Sequence, residues 1–180
     1  MVQDSGVKTL ENDRGKMYNK NFPTDGIIIT NVTVIPEWID YNRHMNVVYY
    51  AVAFETGFDC YKNLIGMDLN YIKSSNLSTV SLESHICYTK EANLNDVLRI
   101  ETRVAEFDYK RSHIYQEMYR ESDLLATQET LSISFNTLTR KTQEFDLDIV
   151  KGYTQLRDAQ KNHTTQPKVN KAIRKLFPMT

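Results

Sequence analysis

The sequence predicts one α+β domain in which a long helix faces a curved antiparallel sheet. Two patterns carry that reading: apolar residues recur at helical spacing between positions 47 and 65, and beyond position 75 several stretches alternate with a period of two. With 180 residues the chain can bury one sizeable core but not two.

Taken in order, residues 1–25 carry few large apolar side chains and read as a polar arm. Residues 26–35 are β-branched and end at Pro36, which holds the preceding residue extended and lacks the N–H a ladder needs, so a first strand stops there. Val47, Tyr50, Ala51, Phe54, Phe58, Tyr61 and Ile65 then line one face of a helix. Asn46 is a favoured N-cap type and Gly66 a stop signal, so both ends are marked. Val48, Tyr49, Val52 and Leu64 add apolar surface elsewhere on this helix, which predicts that other structure wraps it.

After Ser75, Val80, Leu82, Ile86 and Tyr88 are expected on one face of a strand, with Ser81, Glu83, His85 and Cys87 on the other. Further strands are expected at 97–107, 112–120 and 124–137, joined by short polar segments that suit hairpins and make the sheet antiparallel. In the last of them Leu125, Leu131, Ile133 and Phe135 alternate with Gln128, Thr130, Ser132 and Ser134, as a sheet with one packed face requires. Asp146 or Asp148 is placed to cap a short helix carrying Ile149, Val150, Tyr153 and Leu156. The domain is therefore drawn over residues 26–157. Residues 158–180 form a basic tail, read as solvated or as a contact for an anionic ligand.

Composition removes several function classes. Lys and Arg total 22 against 23 Asp and Glu, a balance with no electrostatic footprint for nucleic acid. The start of the chain lacks the pattern of a secretory signal, and the longest apolar run is far too short to span a membrane, so a cytoplasmic protein is expected. Cys60 and Cys87 read as two buried thiols rather than a disulfide. His44, His85, His113 and His163 make no zinc motif, so no metal is expected. There is no G-x-S-x-G elbow, P-loop or G-x-G-x-x-G, which sets aside serine-elbow hydrolases, P-loop nucleotide hydrolases and dinucleotide enzymes.

Chemistry concentrates where the first strand meets the helix. A helix N-terminus presents unpaired N–H groups and a partial positive charge, and Asp40 and His44 lie just ahead of it. A carboxylate and an imidazole beside fixed donors are parts that acyl transfer uses, although an Asp before a helix is also a common turn or cap residue. Glu83 and His85 as same-face neighbours are equally well read as a solvated or interface pair.

The run Asp40-Tyr41-Asn42-Arg43-His44-Met45-Asn46, followed by Val47-Val48-Tyr49-Tyr50 and Glu55, resembles the D-x-x-G-H-h-N signature of the 4-hydroxybenzoyl-CoA thioesterase-like hotdog enzymes. Together with SLESHICYTKEANLNDVLRIETR and FDYKRSHIYQEMYR it is similar, over roughly residues 32–153, to the betainyl-CoA thioesterases of bacterial carnitine breakdown. The resemblance implies a hotdog domain, cofactor-free hydrolysis of an acyl-CoA, and homodimers or dimers of dimers with active sites at the subunit interface. By position it implies that Asp40 is the general base or nucleophile, that amides near Asn46 and Val47 hold the oxyanion, and that His44 positions. Arg43 stands where the family usually has glycine, and a contact with a carboxylate or the coenzyme A phosphates is its expected use.

For a betainyl group, aromatic faces and an acid are expected around the quaternary ammonium. Trp38, Tyr41, Tyr49, Tyr50, Tyr88 and Tyr115 are candidates for the faces and Glu83, near His85, for the counter-charge. Core packing accounts for the tyrosines equally well. A non-catalytic acyl-CoA-binding hotdog module is the second reading. Hydration of an acyl-CoA is the third, and no D-x-N-P-x-H motif supports it.

Overall fold

The computed structural model describes residues 22–161 and, ahead of them, two short paired strands, Leu10–Glu11 (β1) and Met17–Tyr18 (β2). Most of the arm expected over 1–25 and the basic tail beyond Lys161 lie outside the described residues. Strands Ile28–Thr33 (β3), Leu77–Tyr88 (β4), Val97–Phe107 (β5), Arg111–Arg120 (β6) and Asp123–Asn136 (β7) form an antiparallel sheet in the order β3-β5-β6-β7-β4, with Lys141–Thr142 (β8) on β7. The strands consecutive across the helix, β3 and β4, thus sit at opposite edges, and the chain between them crosses the sheet as helix Val47–Leu64 (α1) and the shorter Leu69–Ser75 (α2). This is the expected hotdog arrangement. No helix among the described residues is long and apolar enough to cross a membrane.

The cap prediction holds in detail. Asn46 has extended backbone and its side chain accepts a hydrogen bond from the Val48 N–H at 3.1 Å. Tyr50, Ala53, Phe54, Gly57, Phe58 and Tyr61 form the buried stripe of α1. Toward the start of the helix they pack with Val34, Met45, Leu98, Ile100 and Met118; toward its end they pack with Phe107, Ile114 and helix Leu147–Gln160 (α3).

Gly57 sets how closely α1 approaches the sheet. A Cβ there would lie 2.4 Å from Thr102 Oγ1 and 2.8 Å from Gln116 Nε2, and that same amide donates to the Phe54 carbonyl and to Thr102 Oγ1, each at 2.9 Å. Gly57→Ala gains about 1 kcal/mol of helix propensity but forces this bonded amide aside, at a cost of about 1–3 kcal/mol. A net loss of about 1 kcal/mol is expected in urea unfolding, where a generic exposed helix site would gain.

Four expectations are corrected. The first strand is shorter than 26–35, because Val34 leaves the ladder to exchange hydrogen bonds with the Asn95 N–H and the Asp96 carbonyl. The face pattern of β4 breaks at a bulge: Ser81 pairs with Ser132 and Glu83 with Leu131, so Leu82 is the extra residue. Val80 therefore shares a face with Glu83, His85 and Cys87, while Ile86 and Tyr88 lie on the α1 side with Gln128 and Ala126. The helix is not wrapped on all sides: Val47, Val48 and Val52 are exposed, because the sheet curves around one side of α1 only. Finally, α3 runs to Gln160, which is buried and donates to the Gly26 carbonyl at 2.8 Å. Asp146 occupies its N-cap position without capping, because its Oδ2 accepts the Tyr71 hydroxyl at 3.0 Å instead.

Candidate active site

Between β3 and α1 the chain makes a 3-10 turn, Pro36–Trp38, and then a tight loop closed by a bridge between Ile39 and Met45. The Asp40 N–H donates to the His44 carbonyl and the Arg43 N–H to the Asp40 carbonyl, while the Asn46 N–H reaches back to the Trp38 carbonyl and the Met45 N–H to Ala92. These backbone bonds hold Asp40 and Asn46 side by side at the mouth of the helix.

The side chains complete the arrangement. Asp40 Oδ1 accepts the Asn42 N–H at 2.8 Å and Asp40 Oδ2 accepts Asn46 Nδ2 at 3.3 Å. Asn46 thus uses both ends of its amide, one capping the helix and the other holding the carboxylate. The Val48 N–H is spent on this cap and the Asn46 N–H on Trp38, whereas the Val47 N–H has no acceptor among the described residues. Asp40 and Asn46, with Glu37, Ile39, Val48 and Tyr49, line an open cleft of about 300 Å³. Trp38 stacks on Tyr49 with ring centroids 5.4 Å apart and planes 10° apart.

Arg43 occupies left-handed backbone with φ of 68°, so the loop keeps the geometry that suits glycine despite the side chain. The guanidinium is exposed and forms no ion pair or hydrogen bond among the described residues. Left-handed arginine costs about 1–2 kcal/mol, partly offset by the extra freedom glycine has when unfolded. Arg43→Gly is therefore expected to raise the melting temperature by about 1–2 °C. A thermal melt of the variant beside the wild type checks this.

The remaining candidates are dispersed. His44 is half-buried, its Nδ1 3.4 Å from the Met45 carbonyl oxygen, and does not line the cleft. Tyr41 is 92% exposed. Tyr50 is buried: its hydroxyl accepts the Ala92 N–H at 3.0 Å and donates to the Lys90 carbonyl, its ring meets Tyr88 edge to face, and burial pushes the phenol above its ordinary pKa. Tyr115, Glu83 and His85 lie on the sheet face opposite α1, where Tyr115 donates to Glu117 and His85 Nδ1 sits 3.8 Å from Cys87 Sγ. The structure thus brings together Asp40, Asn46 and Tyr49 in the cleft, with Trp38 behind the last; Val47 follows Asn46 in the chain without lining the cleft, and Glu83 and His85 lie elsewhere on this chain.

Glu37, Ile39 and Val48 were not among the site candidates read from the sequence. Pro36, at the first position of a turn that aims the following side chains, is the one local signal that could have found Glu37. Among the described residues no group of three or more His, Cys, Asp or Glu could hold a metal ion.

Comparison with known proteins agrees with the fold. The chain is 31% identical over 149 residues to an L-carnitine dehydrogenase/betainyl-CoA thioesterase of Ruegeria pomeroyi, covering 82% of this chain and 30% of that protein. It is 31% identical over 86 residues to a betainyl-CoA thioesterase of Pseudomonas aeruginosa, covering 48% of this chain and 54% of the relative. The chain thus spans about a third and about half of these two relatives. Among solved structures, a Staphylococcus aureus protein in complex with CoA superposes with a TM-score of 0.71 at 24% identity, covering 84% of this chain and 96% of that one. A putative thioesterase of Pseudomonas putida superposes with a TM-score of 0.69 at 25% identity, covering 84% and 97%. The family profile described as the thioesterase-like superfamily matches residues 34–152, from the end of the first long strand into the last helix, and the chain belongs to that superfamily.

Proposed function

We propose that this chain hydrolyses an acyl-CoA thioester in the Asp40 cleft. The observation that carries the reading is a carboxylate held by the N-cap amide of α1, beside a helix-start N–H, that of Val47, left without an acceptor. Each Asp40 oxygen accepts one hydrogen bond and keeps a lone pair. In the water route, Asp40 takes a proton from water as the water oxygen adds to the thioester carbon. The carbonyl oxygen, now negative, is received by the Val47 N–H and the positive end of the helix dipole. The C–S bond then breaks, and Asp40 returns the proton to the departing thiolate, leaving a carboxylic acid and free coenzyme A. In the covalent route Asp40 itself adds to the carbon, expels the thiolate and forms an anhydride that water opens. Neither route calls for a cofactor.

A betainyl-CoA or another short polar acyl-CoA fits this site best, supported by the two named relatives and by the modest cleft lined by Tyr49, which Trp38 backs. Coenzyme A thioesters are highly charged and do not cross membranes, so the enzyme shares the compartment of its substrate, which we take to be the cytoplasm. Edge strand β4, with Val80 and Leu82 exposed, is the surface through which we expect two copies to pair as a homodimer, the unit from which a dimer of dimers is built. A monomeric mass in sedimentation equilibrium would remove the dimer.

The test of the activity is release of free thiol from a panel of acyl-CoAs by the purified protein. Turnover of betainyl-CoA above short uncharged acyl-CoAs is expected. Tight coenzyme A binding with no thiol released from any member would instead establish the binding-module reading, for which Arg43 in place of the family glycine speaks.

A further inference from the structure

The cleft carries two carboxylates and no cation. Of its six lining residues, Glu37 and Asp40 are acidic, Tyr49 is aromatic, and none is Lys, Arg or His. The two acids differ in their bonding. Asp40 is held by Asn42 and Asn46, whereas Glu37 forms no hydrogen bond or ion pair among the described residues. A free carboxylate on the wall of a cleft where an oxyanion develops would oppose catalysis for a neutral acyl group, because the negative charge that appears on the carbonyl oxygen is repelled by it. A positive charge carried by the acyl group reverses the sign of that interaction.

We propose that Glu37 selects a cationic acyl group, its carboxylate facing a quaternary ammonium that also rests against the ring of Tyr49. This role rests on the hydrolase reading of the cleft and gives its substrate a charge. The placement supports Glu37 over Glu83 as the counter-charge. Glu37 and Tyr49 line the same cleft, and Trp38 stacks on Tyr49 and backs its ring. Glu83 projects from the sheet face opposite α1. The 3-10 turn, with Pro36 at its start, holds Glu37 and Trp38 in a defined relation to Asp40, so the charge discriminates without touching the reacting atoms.

The experiment compares betainyl-CoA with 3,3-dimethylbutanoyl-CoA, in which carbon replaces the ammonium nitrogen and the shape is kept. kcat/KM is measured for both substrates with the wild type, Glu37→Gln and Glu83→Gln, at low and high salt. The wild type is expected to prefer the cationic substrate, and Glu37→Gln to reduce the ratio of the two kcat/KM values by about three- to fivefold. High salt should reduce the wild-type ratio and leave the Glu37→Gln ratio less affected. Glu37 is exposed, so the variant should fold, which circular dichroism checks. A ratio untouched by Glu37→Gln, or one that collapses only in Glu83→Gln, overturns the proposal while both substrates still turn over and the hydrolase reading stands. Hydrolysis of neither substrate by the wild type overturns both.

Discussion

Asp40→Asn is expected to lower kcat for thioester hydrolysis by about 10³-fold, with KM changed by no more than a few-fold. The amide has nearly the shape of the carboxylate but cannot take a proton from water or attack the thioester carbon. Its oxygen still accepts one hydrogen bond, from Asn42 or from Asn46; the other contact becomes donor against donor and is lost. That loss costs about 1 kcal/mol, so the melting temperature should fall by only about 2–4 °C. Single-turnover thiol release beside a thermal melt separates the two effects. A variant that keeps a tenth or more of the wild-type kcat would remove Asp40 from the chemistry.

Asn46→Ser is expected to show that Asn46 does more than cap. Serine is as good an N-cap as asparagine, so α1 keeps its first turn and stability changes by only a few tenths of a kcal/mol. Serine does not reach Asp40 as the amide does, and the carboxylate loses the partner on Oδ2. We expect kcat to fall about tenfold with KM little changed, since a loosened carboxylate is less often in reacting position. Asn46→Ala removes the cap as well and should cost about 1 kcal/mol of stability in addition. Asn46→Asp keeps the cap but sets a second carboxylate against the first. The acidic limb of its pH–rate profile should move to higher pH, because two adjacent carboxylates resist ionising together. If Asn46→Ser has wild-type kcat, the amide serves the helix alone.

Much of the architecture was legible because its signals are local. The helix from 47 onward is a matter of spacing, and Asn46 and Gly66 mark its ends by their own backbone preferences. The antiparallel strands followed from alternation and short polar connections. What local signals could not show was the Leu82 bulge, because a period of two looks the same whether or not the partner strand skips a residue. Nor could they show that α1 is covered on one side only. Apolar residues around a helix say that something packs there, not whether it is the same chain.

The candidate site divides in the same way. Asp40, Arg43, His44 and Asn46 stand within one short stretch whose resemblance to a known signature was visible in the residues. The bond from Asn46 to Asp40 depends on a loop closed by Ile39, Met45, Trp38 and Ala92, and Ala92 is remote in sequence.

By itself the sequence determined the helix, its cap, the number and direction of the long strands, and the placing of an acid just ahead of the helix. Spacing, capping preference and alternation act over a few residues, and no distant partner is needed to express them. Only the tertiary structure decided which acids share a cleft, with Glu37 inside it and Glu83 on the opposite face of the sheet, and which helix-start N–H is left without an acceptor. Those outcomes follow from strand register and loop closure, which are fixed by contacts between segments far apart in the chain.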